Sequence, residues 1–141
     1  MNIEQVADNI YTFPIVLPNN PLKWLNCYVV RSDGRNLLID TGFKRPECRE
    51  ALLGGMRQLG LTPDNTDIFI THLHSDHTGN AAYLAGEGFS VLMGRTDHRV
   101  VTMPEKDKHK ETHARFLREG MPKEDLAGDK IRTRRISGAR A

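Results

Sequence analysis

The feature that most constrains this chain is a cluster of metal-ligand residues directly after a short apolar segment. Residues 67–71 form an apolar run of the kind found in strands that are covered on both faces. Residues 72–77 follow at once and contain three histidines and one aspartate, and the chain leaves this cluster through Gly79. Imidazole and carboxylate groups are ligands that zinc prefers. Without a metal, so many titratable groups would also repel one another whenever the imidazoles are protonated. The pattern predicts a divalent metal site at the end of a buried strand.

The spacing within the cluster predicts how the ligands divide. In an extended segment, residues two apart point the same way, so His72 and His74 are expected to converge on one ion. Asp76 and His77 come after the backbone has begun to turn, so their side chains are directed elsewhere. The spacing therefore suits two neighbouring metal positions.

The segments around this cluster predict a layered α/β fold. Strand-forming residues on both sides of an Asp-Gly turn at residues 32–35 indicate a β-hairpin within an antiparallel sheet. Pro14 interrupts an earlier strand signal over residues 10–17, which is typical of an edge or bulged strand. After Gly42 the apolar period becomes helical, and the helix is expected to run from near Pro46 to Gly60. A helix between two strands implies a crossover connection.

The part of the chain after residue 80 continues the α/β pattern. Residues 80–85 look helical, residues 89–93 look like a further buried strand, and residues 106–119 look like an exposed, charged helix that ends at Gly120. The length of 141 residues suits one domain, which we expect over residues 1–128. Residues 129–141 hold basic side chains and few apolar ones, and we expect a poorly ordered tail there.

Composition narrows the class of protein. The net charge of +2 is too small for a nucleic-acid-binding polycation. The start of the chain lacks the basic and apolar regions of a secretory signal, and no apolar run is long enough to span a membrane. Cys27 and Cys48 lack metal-binding spacing and are expected to be buried thiols. These features favour a soluble, cytoplasmic protein that binds neither membranes nor nucleic acids.

The histidine cluster also resembles a known motif. His72-x-His74-x-Asp76-His77 followed by Gly79 is similar to the signature of the metallo-β-lactamase superfamily, and the resemblance covers roughly residues 10–94. It implies an αββα sandwich with one or two zinc ions, although other divalent transition metals fit the same ligands. His72 and His74 are then ligands of the first ion, and Asp76 and His77 are ligands of the second ion. Asp40 is expected either to orient a ligand imidazole or to serve only as a turn residue.

The same resemblance implies hydrolytic chemistry. A metal-bound hydroxide would attack an ester, thioester, lactone or similar small molecule, and Asp76 would be the catalytic residue that orients the nucleophile or passes a proton.

The sequence departs from the family pattern after His77. The remaining histidines, His98, His109 and His113, do not lie in the type of turn that delivers further ligands in that family. We therefore expect the sandwich to be incomplete at its C-terminal side. Either the chain is truncated, or the tail after Gly128 replaces the usual continuation, or a second copy of the chain completes the sandwich as a homo-oligomer, which is our hypothesis. Two alternatives remain open. One alternative to the small-molecule hydrolase is a truncated or non-catalytic module for binding or structure. The other is a phosphodiesterase acting on nucleic acid, which the charge distribution disfavours.

Overall fold

The computed structural model describes residues 2–123, which divide into two compact units between Gly94 and Arg95. The first unit contains six strands and three helices. Its elements are, in chain order, β1 (Glu4–Ala7), β2 (Ile10–Val16), β3 (Trp24–Val30), β4 (Asn36–Ile39), α1 (Pro46–Gln58), β5 (Thr66–Ile70), α2 (Ser75–Thr78), α3 (Ala81–Gly86) and β6 (Ser90–Met93). The second unit contains α4 (Arg95–Thr102) and α5 (Glu105–Arg118).

The six strands form one mixed sheet in which the strand order follows the chain order. Strands β1 to β4 pair antiparallel, and the Asp-Gly turn joins β3 to β4 as the sequence predicts. Strands β4, β5 and β6 are parallel, so α1 is the crossover between β4 and β5. The predicted α/β layered fold is confirmed.

Helix α1 lies against one face of the sheet. Pro46 begins it, since the fixed φ of proline suits the first helical turn. Its buried stripe includes Cys48, Leu52 and Met56 at the predicted spacing. One of the two glycines inside the helix has a packing reason: a Cβ on Gly55 would lie 2.4 Å from the ring of Phe13, so this glycine lets β2 pack closely on α1.

Pro14 lies in a continuous strand without a bulge, and although this strand is not an edge strand along its whole length, Pro14 itself has a neighbouring strand on one side only. Strand β2 runs between β1 and β3. However, β1 pairs only with Ile10, Tyr11 and Thr12, so Pro14 lies beyond the end of β1. The missing N–H of Pro14 therefore costs no hydrogen bond to β1 at this point of the sheet.

The core lies between α1 and the face of the sheet that α1 covers. Its buried side chains include Ile15, Val29, Leu38 and Ile68, which alternate along their strands with exposed or half-buried residues. Strand β6 is an edge strand whose residues are half-buried or exposed, so the prediction that this strand is fully buried is wrong. Its edge position leaves it with one neighbouring strand, β5, within the part of the chain that the structure describes.

The part of the second unit that the structure describes contains helices α4 and α5, and neither helix has a fully buried residue. Helix α5 matches the exposed, charged helix expected from the sequence. The predicted boundary at residue 128 and the basic tail over residues 129–141 lie outside the described residues. Within residues 2–123, every helix is too short or too polar to cross a membrane.

Candidate metal centre

The candidate site lies where the parallel strands β4 and β5 end. Asp40 follows β4 directly, and Thr71 follows β5 directly. The two strands pair in register, and the Asp40 N–H donates to the Phe69 carbonyl oxygen at 3.0 Å. The carboxyl ends of parallel strands are the usual place for ligand sites in such sheets. The parallel pairing therefore brings Asp40 beside the histidine cluster, although about thirty residues separate them in sequence.

Asp40 is buried and accepts three hydrogen-bond donors. Its Oδ1 accepts the Thr71 N–H at 2.9 Å, and its Oδ2 accepts the Thr71 hydroxyl at 2.8 Å. Oδ2 also lies 2.7 Å from His77 Nδ1. Because a carboxylate has no proton to give, His77 must donate from Nδ1, and in the neutral imidazole its Nε2 is then left with a lone pair. This is the contact that was expected if Asp40 orients a ligand imidazole.

A set of hydrogen bonds clamps the segment after Asp40 to the segment after the histidines. The Thr41 N–H and hydroxyl both donate to the His77 carbonyl oxygen, at 2.9 and 2.7 Å. The buried Asn80 amide donates to the carbonyl oxygens of Thr41 and Phe43, at 2.8 and 2.9 Å. Thr41 and Asn80 therefore position the site, a role that their sequence context did not indicate. Their only signal was their place beside Asp40 and Gly79.

His72 and His74 lie together, as the alternation of an extended segment predicts. His72 Nε2 is 3.0 Å from His74 Nδ1, and the two rings meet edge to face. Two nitrogen ligands of one tetrahedral zinc ion, each about 2.0–2.1 Å from the metal, are about 3.3 Å apart. The separation of these two nitrogens is close to that value, so the pair fits two positions around one ion.

Asp76 and His77 form the second pair, on the short helix α2. Asp76 Oδ2 lies 3.6 Å from His77 Nε2, the nitrogen that Asp40 leaves free. The rings of His72 and His77 have centroids 4.0 Å apart, so the two pairs are neighbours. The structure thus brings all four predicted ligands to one loop.

The imidazole and carboxylate groups of this loop are ligands that zinc prefers. Each of the two predicted metal positions, however, receives only two of these side chains. Among residues 2–123, no three His, Cys, Asp or Glu side chains are arranged to hold a single ion. His98, His109 and His113 are exposed on α4 and α5, in the second compact unit. The assignment of individual ligands therefore stays a prediction.

Cys27 lies beneath the turn that carries Asp40. Its thiol is 3.4 Å from the Ile39 carbonyl oxygen and 3.5 Å from the Asp40 carbonyl oxygen. Burial, with a smaller contribution from the Asp40 charge, raises the pKa of the Cys27 thiol well above its usual value. The neutral thiol is therefore a donor to the backbone here, and Cys27 and Cys48 are both free and buried, as predicted.

Comparison with known proteins identifies the same family that the histidine motif resembles. Residues 25–137 match the family model of the metallo-beta-lactamase superfamily. An atrochrysone carboxyl ACP thioesterase of Aspergillus novofumigatus is 37% identical over 86 residues, which cover 55% of this chain and 24% of that protein. The human metallo-beta-lactamase domain-containing protein 1 is 41% identical over 66 residues, which cover 42% of this chain and 24% of that protein.

A solved structure extends the similarity to the fold. A metallo-beta-lactamase family protein of Thermus thermophilus aligns with a TM-score of 0.62 and 30% identity. The alignment covers 86% of this chain and 42% of that chain. The chain thus spans about a quarter of the length of these sequence relatives and less than half of this solved structure. Since the family model matches most of its residues, the chain belongs to the metallo-beta-lactamase superfamily.

Proposed function

We propose that this chain is a zinc-dependent hydrolase that acts on a thioester or a related small acyl compound, such as an ester or lactone. The proposal rests on two neighbouring pairs of side chains on one loop, each of which has metal-ligand atoms close together. His72 and His74 present two nitrogens 3.0 Å apart, and Asp76 and His77 present an oxygen and a nitrogen 3.6 Å apart. Each pair would hold one ion.

The chemistry would divide between the metal and the side chains around it. When bound, zinc polarises a carbonyl oxygen and lowers the pKa of its water to about 7. Asp40 holds the His77 ring in one orientation, through the 2.7 Å contact with Nδ1. Asp76 is half-buried beside His77 Nε2, where its carboxylate would orient the attacking water and accept its proton.

The thioester class is favoured by the relatives. One of them is named an acyl-carrier-protein thioesterase, and its matched region of 86 residues covers 55% of this chain. The two free thiols suit a reducing compartment, which supports a cytoplasmic location.

A second candidate is a zinc-binding domain without catalytic activity. It is favoured by the absence, among residues 2–123, of any group of three ligand side chains around one ion. Zinc held by two protein ligands has more positions open to water and is bound more weakly than in a complete site.

Hydrolysis of a small thioester by the untagged, zinc-supplemented chain separates these candidates. The release of free thiol from an S-acyl cysteamine is expected to exceed that of zinc in buffer and to be lost in His72→Ala/His74→Ala. The matched control is His109→Ala/His113→Ala, which removes two exposed histidines from α5 and should retain the rate. Hydrolysis that survives the loss of His72 and His74 would refute the site. Zinc binding without hydrolysis would favour the non-catalytic candidate.

A further inference from the structure

The Thr71 hydroxyl lies between the buried carboxylate and the first histidine of the motif. Its Oγ1 is 2.8 Å from Asp40 Oδ2 and 3.1 Å from Asp40 Oδ1. On its other side, Oγ1 is 3.0 Å from His72 Nδ1. A single oxygen thus contacts both the residue that orients His77 and the ring of His72.

The direction of each hydrogen bond follows from the number of protons available. A hydroxyl has one proton, and a carboxylate only accepts, so the Thr71 proton goes to Asp40. Oγ1 then has only lone pairs to offer His72. The hydrogen bond to His72 therefore requires a proton on Nδ1, and in the neutral imidazole this leaves His72 Nε2 with its lone pair directed at His74 Nδ1, 3.0 Å away.

We propose that Thr71 is a positioning residue that fixes the tautomer and ring orientation of His72, so that one buried carboxylate controls both metal positions. Asp40 acts on His77 directly and on His72 through the Thr71 hydroxyl. The proposed role in zinc binding rests on the proposed function, whereas the tautomer of His72 is a property of the metal-free chain.

The backbone supports this role for the hydroxyl. The Thr71 N–H donates to Asp40 Oδ1 at 2.9 Å, so the carboxylate holds Thr71 at two atoms. Thr71 is exposed and directly follows β5, and its replacement by the isosteric valine removes the hydroxyl while leaving the N–H contact in place. Thr71→Val therefore tests the hydroxyl with little change in volume.

The test combines the His72 tautomer with zinc affinity in four proteins: wild type, Thr71→Val, Thr71→Ser and Thr78→Val. Thr78 is the matched control, because its hydroxyl donates to the His74 carbonyl oxygen and touches no ring. Proton–nitrogen correlation spectra of the metal-free chains at about pH 8, where an ordinary imidazole is neutral, report which ring nitrogen carries the proton. The signal of His72 is assigned as the one missing from His72→Ala.

We expect the proton on His72 Nδ1 in the wild type, Thr71→Ser and Thr78→Val, and a shift toward the Nε2-protonated form in Thr71→Val. Zinc affinity, measured by competition with a chelator, should fall about 10- to 100-fold in Thr71→Val alone. A proton on Nε2 of His72 in the wild type would overturn the proposal, as would a Thr71→Ser chain that behaves like Thr71→Val. A correct tautomer pattern in a chain that binds no zinc would instead contradict the proposed function and leave the role of Thr71 in the tautomer intact.

Discussion

Asp40 has three properties that together make it the centre of the site. It is buried, its backbone has a φ of 63°, and its carboxylate is contacted by Thr71 and His77. Left-handed backbone is unfavourable for most residues, and Asp and Asn are among the few that adopt it readily. Asparagine at this position would therefore keep the left-handed turn but remove the carboxylate, so this substitution tests the two properties separately.

Asp40→Asn should keep the turn and damage the hydrogen bonds. An amide has only one acceptor oxygen, so its NH₂ group would face either the Thr71 donors or the His77 Nδ1 proton. An unpaired buried donor costs about 1–3 kcal/mol. We expect the free energy of unfolding in urea to fall by about that amount, and zinc affinity to fall about 10- to 100-fold.

Asp76→Asn provides the contrast to that variant. Asp76 is half-buried, and its contact with His77 is 3.6 Å long. Its replacement should therefore weaken zinc binding while changing the stability of the metal-free chain by less than about 0.5 kcal/mol. Equal losses of stability in the two variants would show that Asp40 has no special structural role.

Among the residues of the site, the sequence predicted the types of ligand and named Asp40 as one possible support, but it did not indicate the supporting contacts of Thr71, Thr41 and Asn80. The alternation of an extended segment was enough to pair His72 with His74. The contacts of Asp40 with Thr71 and of Asn80 with Thr41 join segments more than thirty residues apart. Such contacts depend on the register of β4 against β5, which local pattern does not specify.

The elements that carry the site pack backbone against backbone. A Cβ on Gly79 would lie 2.2 Å from the Lys44 backbone nitrogen and 2.4 Å from the Gly42 carbonyl oxygen. Since backbone atoms cannot turn aside as a side-chain end does, any side chain here would push the segment after α2 away from the turn after β4. The glycine of the motif is thus a packing requirement.

Gly79→Ala should lower the stability of the chain by about 2 kcal/mol or more, the usual cost of overpacking a tight contact. The control is Gly86→Ala, at the end of α3, where a Cβ would meet nothing within 4 Å. That control should be neutral or slightly stabilising, because alanine is the better helix former. Thermal unfolding followed by circular dichroism measures both. A Gly79→Ala chain as stable as the control would contradict the close packing.

At the scale of elements, strongly periodic segments were predictable and weak ones were not. The helical apolar period and Pro46 predicted helix α1. The Asp-Gly turn predicted the β3–β4 hairpin, and the apolar run predicted strand β5. Strand β1 was missed because its four residues are all exposed and carry no apolar alternation. Helix α4 was missed because it buries no residue fully.

The first unit as a whole leaves an apolar face on the side of the sheet away from α1. Strand register places Tyr28, Ile39, Phe69 and Leu92 in one row across four strands. Tyr28 and Leu92 are 38% and 46% exposed, and Trp24, on the same face of β3, is 54% exposed. Ile39 and Phe69 between them are half-buried, and an apolar surface of this kind favours an interaction site.

We predict that a second copy of the chain covers this face, since an apolar and uncharged row is complementary to itself across a two-fold axis. Light scattering after size-exclusion chromatography should then give twice the chain mass of 15.9 kDa. Tyr28→Glu would bring like charges together and should yield monomer. Leu22→Glu, at an exposed position outside the strands, should not. A monomeric wild type at micromolar concentration would exclude the dimer.

We propose that the loop after β5 binds zinc at two positions, and the number of zinc ions bound per chain measures this. Equilibrium dialysis of the untagged chain against micromolar zinc, followed by elemental analysis, should give two ions per chain. His72→Ala/His74→Ala and Asp76→Ala/His77→Ala should each lose one ion, and His109→Ala/His113→Ala should lose none. A wild-type chain that binds no zinc, or one whose zinc is lost only with His109 and His113, would contradict the account.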